Sequence, residues 1–184
     1  MKKFIFLFLI FFSFLFKARA QSNFIKTFTN GEAGLVDMIL TKDSGVIILA
    51  RDFILPSSGP CLIKTNAKGK LIWQKSYSTK TYPTSFCLSE NNGFIIVGND
   101  AAGFSWIKTD SLGNIIGKKY FNFSGLEELK IKKLNSSLYL ITSGTLIVKI
   151  NEEGNILFSK QIISNFEYPG ICDFIYKDKK IIIG

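Results

Sequence analysis

The sequence predicts an all-β fold built from repeated four-stranded units, and three observations carry that expectation. The stretch "LIKTNAKGKLIWQK" (Leu62–Lys75) recurs in altered form as "WIKTDSLGNIIGKK" (Trp106–Lys119) and "IVKINEEGNILFSK" (Ile147–Lys160). The runs "VIILA", "FIIVG", "LYLIT" and "IIIG" are continuously apolar, as suits strands buried on both faces. Beyond the first twenty residues, no stretch shows the 3.6-residue period of an amphipathic helix.

The N-terminus comes first. "MKK" is basic, "FIFLFLIFFSFLF" is an apolar run of thirteen, and "KARA" supplies Ala18 and Ala20 as the small residues of a cleavage site. These are the three regions of a secretory signal peptide, expected over residues 1–20. The run is short for a membrane span, which needs about 20 apolar residues. No stable span is therefore expected after cleavage. Residues 21–184 form the predicted domain, with a length typical of a single core. The whole chain carries +9. The leader holds four of the basic residues and no acid, which leaves +5 on the domain. That excess is spread along strands and turns. Its densest cluster, "LKIKKL" at Leu129–Leu134, alternates as a half-exposed strand does, so nucleic acid is not an expected partner.

The repeated stretch comes next. Lys64, Lys108 and Lys149 align at spacings of 44 and 41 residues. Five residues on stand Gly69, Gly113 and Gly154, and nine on stand Trp73, Gly117 and Phe158. The intervening turns "NAKGK", "DSLGN" and "NEEGN" open on Asn or Asp and place Gly fourth. An Asx residue starts such a turn, and Gly takes its left-handed position. Each copy therefore reads as a β-hairpin. A second hairpin precedes each one, at Val36–Asp52, Thr84–Asp100 and Leu129–Gly144, and another opens at Ile171. Four strands in a unit of about 40 to 50 residues point to a β-propeller, whose blades stack to bury faces that none can bury alone. The expected blades span about 35–77, 84–121 and 127–162, with an incomplete fourth at 170–184. "FIKTF" (Phe24–Phe28) resembles the outermost strand of each blade and reads as an orphan strand that would complete a last blade in a closed ring. Three and a half blades do not make a usual ring. The expectation is a fragment or truncated product, with self-association through open blade edges as the rival.

The pattern "GFIIVGND…FSWIKTDSLGNIIGKKYF" (Gly93–Phe121) resembles a repeat of secreted Bacteroidetes proteins, in which Gly-Phe-Ile-Val-Gly precedes Ile-Lys-Thr-Asp-x-x-Gly-Asn-x-x-Trp. The second unit fits best, with Gly117 where that repeat has Trp. The resemblance implies a multi-blade extracellular propeller with a binding or scaffolding role, and it carries no catalytic residues. "TNAKGKLIWQ" (Thr65–Gln74) is also similar to the Gly-Lys-x-x-Trp repeat of pyrroloquinoline-quinone propellers. That likeness implies a blade-docking role for Trp73 and, in the enzymes, a quinone and a calcium ion at the ring centre.

Chemistry is sparse. The sequence contains no histidine, which removes His-based triads and His-ligated metals. Cys61, Cys87 and Cys172 sit among apolar neighbours and read as small core residues, in a spacing that fits no metal motif. Glu127-Glu128 and Glu152-Glu153 are adjacent pairs. Neighbouring strand residues point to opposite faces, and turn acids are expected to be solvated, so neither reads as a glycosidase couple. Asp110, Glu152 and Glu153 lack the ligand order of a calcium loop. "GNDAAGFSW" has no phosphate-loop lysine, and the sequons at Asn122 and Asn135 mark surface turns. The loops "DFILPSSGP" and "NDAAGFS" vary most between units. Phe53, Leu55 and Phe104 in them are the candidate exposed binding residues. The expectation is a non-catalytic secreted binding protein without a cofactor, taking a protein or glycan ligand. The alternatives are part of a quinone-dependent propeller enzyme or a non-functional truncated product.

Overall fold

A computed structural model describes residues 33–52, 59–126 and 128–161, and the backbone of 174–177 and 180–183. The predicted leader, the 24–28 strand, Cys172, Phe53 and Leu55 lie outside the described residues. The fold is all-β. Three four-stranded antiparallel sheets follow one another along the chain, each with its strands in sequence order. The first comprises β1 (Ala33–Leu40), β2 (Val46–Asp52), β3 (Gly59–Thr65) and β4 (Leu71–Ser76). The second comprises β5 (Tyr82–Leu88), β6 (Phe94–Asp100), β7 (Gly103–Thr109) and β8 (Ile115–Asn122). The third comprises β9 (Leu129–Lys133), β10 (Leu138–Ser143), β11 (Leu146–Asn151) and β12 (Ile156–Gln161). β13 (Phe174–Lys177) and β14 (Lys180–Ile183) form a further hairpin. No described residue is helical.

Each repeated stretch is the β-hairpin its turn chemistry requires. Asn66, Asp110 and Asn151 each accept a backbone hydrogen bond from the glycine three residues on, at 2.9, 3.1 and 2.9 Å. Gly69, Gly113 and Gly154 adopt φ of 69, 78 and 70°, the left-handed region that glycine enters without steric cost. The register then slips by one residue at the same place in each four-stranded sheet. Lys64, Lys108 and Lys149 lie opposite Trp73, Gly117 and Phe158, whereas the next residues pair with Leu71, Ile115 and Ile156. The bulged residues Ile72, Ile116 and Leu157 are all exposed. The recurring lysine and the position nine residues on are thus cross-strand partners.

The central strands are buried on both faces, as continuous apolar runs require. In β6, Phe94 and Ile96 belong to the core shared with Ile47, Leu49 and Leu62 of the first sheet. Ile95 and Val97 belong to the core shared with Leu129, Tyr139 and Val148 of the third. The period of two in a strand sends alternate residues to opposite neighbours. The first strands of the sheets, β1, β5 and β9, lie side by side across the two junctions. The last strands, β4, β8 and β12, are the exposed edges. Cys61 and Cys87 are buried free thiols, and burial pushes both above the usual thiol range.

Candidate functional site

Two kinds of site emerge: the contacts that dock each sheet on the next, and the surface where the strands end.

At the first junction, Trp73 of β4 covers Gly113 in the turn of the second sheet. A Cβ on that glycine would lie 3.0 Å from the indole. Tyr77 donates its hydroxyl hydrogen to the Gly113 carbonyl at 2.7 Å, and Lys75 donates to Asn114 Oδ1 at 3.2 Å. At the second junction the aromatic comes from a different strand. Trp106 of β7 covers Gly154, where a Cβ would lie 2.9 Å from the ring, and Lys119 donates to Asn155 Oδ1 at 2.6 Å. Gly117 stands where the repeat has tryptophan because Trp106 occupies that space. A Cβ on Gly117 would sit 3.2 Å from the indole. The pair Leu62 and Trp73 in one sheet thus becomes Trp106 and Gly117 in the next, and an indole still rests on a turn glycine of the following sheet.

The repeated lysines take acids from different places. Lys64 donates to Asp43 Oδ1 at 2.9 Å and to Thr41 Oγ1 at 2.7 Å, both within its own sheet. These hydrogen bonds, Thr41 foremost and then Lys64, hold the Asp43 carboxyl at about 2. Lys108 instead pairs across the junction with Glu152 of the third sheet at 2.7 Å. Glu152 also accepts from the Tyr139 hydroxyl and from the Glu90 backbone N–H. Burial raises the Glu152 carboxyl, but the hydrogen bonds from Lys108 and Tyr139 outweigh it and hold the group below its ordinary value. Glu152 is 5% exposed, which corrects the expectation of a solvated turn acid. The reason is the cation opposite. A turn residue facing a neighbouring sheet is buried wherever a partner satisfies it. Lys149 is half-buried opposite a Phe158 that is 47% exposed.

The other site is the end of the sheets that carries the β6–β7 connection. Here Phe104 is a correction. The expected loop is a two-residue turn at Ala101 and Ala102, and β7 begins at Gly103. Phe104 is therefore a strand residue. It is 0% exposed and packs on Phe121 and Phe123 at centroid distances of 4.7 and 5.7 Å. This end presents polar and aromatic groups to solvent, with the exposed Leu35 beside them. The Arg51 guanidinium lies 3.7 Å over the Tyr82 ring, and Tyr82 is 49% exposed. A cleft of about 380 Å³ is lined by Arg51, Lys80, Tyr82, Asn99 and Asp100. Two further clefts, each of about 440 Å³, also reach Asn99. Asp100 is fixed by hydrogen bonds from Ser105 and the Ala102 N–H. Arg51 and Tyr82 end and begin strands of different sheets, so no local motif announces their meeting. Glu152 stands at a variable turn position, Ala67 and Ser111 in the other copies, so the repeat gave no sign of its burial.

Among the described residues no group of three or more His, Cys, Asp or Glu is placed to hold a metal ion. No helix among them is long and apolar enough to cross a membrane.

No protein-family model matches the chain, and no curated protein matches it. A solved structure, a protein of unknown function from Bacteroides caccae, is similar to it with a TM-score of 0.60 and 9% identity over 80% of this chain. The match covers 54% of that protein, so the chain spans about half its length. At this identity the likeness shows the fold alone, an all-β arrangement.

Proposed function

We propose that the three sheets are successive blades of a β-propeller and that the protein is a secreted, non-catalytic binding or scaffolding module. The observation that carries the reading is the repeated junction. Each of the first two sheets lays an indole on the turn glycine of the next and ties its outer strand to the following Asn. Blades that must present the same two faces to their neighbours produce such periodic contacts. The ordering of β1, β5 and β9 side by side supports strands gathered toward one axis. The leader pattern supports export, and the origin of the similar solved protein accords with the resemblance to secreted Bacteroidetes repeats.

The binding surface in this reading is the end bearing the Tyr82 and Arg51 platform. Rigid sheets hold it, and its clefts have the size of small-ligand sites. A tyrosine face beside a cation and amide groups suits a sugar ring or a peptide. A glycan and peptide array probed with the exported protein should return ligands whose binding falls about tenfold or more in Tyr82→Ala, the range of an aromatic hot spot, with thermal stability retained. Arrays that return nothing, or ligands indifferent to Tyr82, would contradict the site. Dye reduction after reconstitution with pyrroloquinoline quinone and calcium would contradict the non-catalytic reading.

A further inference from the structure

The two junctions are built from equivalent positions, and one of them lacks a side chain that the other has. Leu140 pairs with Lys149 and Ile95 with Lys108, so Tyr139 corresponds to Phe94. Glu152 and Ser111 each follow the repeated lysine of their sheet by three residues. Glu90 and Lys42 each precede the glycine that closes the first turn of their sheet by three. Between the second and third sheets, the Glu152 carboxylate is held by Lys108, the Glu90 N–H and the Tyr139 hydroxyl. Between the first and second sheets, the corresponding residues are Ser111, Lys64, Lys42 and Phe94. All four line an open cleft of about 340 Å³.

We propose that this cleft binds a carboxylate carried on a short aliphatic stem, in the place that Glu152 fills one junction further on. Lys64 Nζ is the cation that receives it, as Lys108 receives Glu152. An ammonium has three donors, and Thr41 and Asp43 take two of those on Lys64. The pair with Asp43 is no strong competitor, since Asp43 is 59% exposed and such pairs contribute little. Lys42 adds a second positive charge, Ser111 a hydroxyl, and Leu88 and Phe94 an apolar wall for the stem. The bound carboxylate would come from a glutamyl side chain or a uronic acid, and the test separates these sources. The inference needs the docking of the first two sheets and does not depend on the Tyr82 platform.

The test is calorimetric titration of the folded chain at constant ionic strength with N-acetylglutamate α-amide, methyl glucuronide and the neutral N-acetylglutamine α-amide. One or both acids should bind, the tighter naming the source, and the neutral amide should not. Lys64→Met should weaken binding about tenfold or more, as loss of a charge-assisted hydrogen bond does. The double variant Ser111→Glu with Phe94→Tyr rebuilds the filled junction, so it should abolish binding and raise the thermal midpoint. Equal response to acid and amide, no binding by either acid, or full binding by Lys64→Met would overturn the proposal. Lys64→Met decides the matter if the double variant does not fold.

Discussion

Glu152 shows what a single residue does at a junction of sheets. Its carboxylate is almost fully buried, yet it is satisfied by an ammonium, a phenol and an amide from two sheets. Removing one partner of such a group leaves the other charge buried. Glu152→Gln should therefore lose about 1.5–3 kcal/mol at pH 7, the range for hydrogen bonds to charged groups. The sign with pH follows from the lowered carboxyl. A folded-state value held below the ordinary 4.5 adds stability at pH above that value, and the gain disappears as the pH falls through the folded-state value. Urea unfolding of both proteins from pH 7 to pH 2 should show the gap closing below about pH 4.5. A constant gap would mean that Glu152 acts through packing alone. The sequence could not reveal this role, because a turn acid looks solvated until the sheet opposite it is known. It also hid the identity of the second indole. Gly117 looks like a lost tryptophan, and only the pairing of β7 with β8 shows Trp106 lying over it.

At the scale of the element, Gly113 and Gly154 do two things at once: they take a left-handed backbone, and they admit a neighbouring indole. Gly125 separates these roles, since its φ is 68° but a Cβ there would meet nothing within 4 Å. Gly125→Ala should cost only the backbone term, about 1–2 kcal/mol. Gly154→Ala carries the same term and in addition drives a methyl against Trp106, an overpacking that adds about 1–3 kcal/mol. Chemical denaturation of the two variants measures the difference directly, and equal losses would mean that the indole contact contributes nothing to docking. The strands and turns were the legible part of this protein. Alternation, continuous apolar runs and Asx-to-Gly spacing are local signals, and they placed the strands of all three sheets. The β6–β7 connection was misread because "NDAAGFS" has loop composition. A two-residue hairpin needs only Ala101 and Ala102, and the strand resumes at once, carrying Phe104 into the core.

At the scale of the whole molecule, the repetition in the sequence reappears as repetition in docking. Sheet follows sheet with the same polar ties, Lys75 to Asn114 and Lys119 to Asn155. The next lysine in that series, Lys160, lies on the exposed edge strand β12 beside Phe158. The proposed arrangement of the sheets about an axis is the central claim, and cryo-electron microscopy of the native protein tests it most directly. The account predicts annular particles, with four-stranded sheets radiating from a common axis and β1, β5 and β9 innermost. Particles in which the sheets stack in an open row, with no central axis, would contradict it.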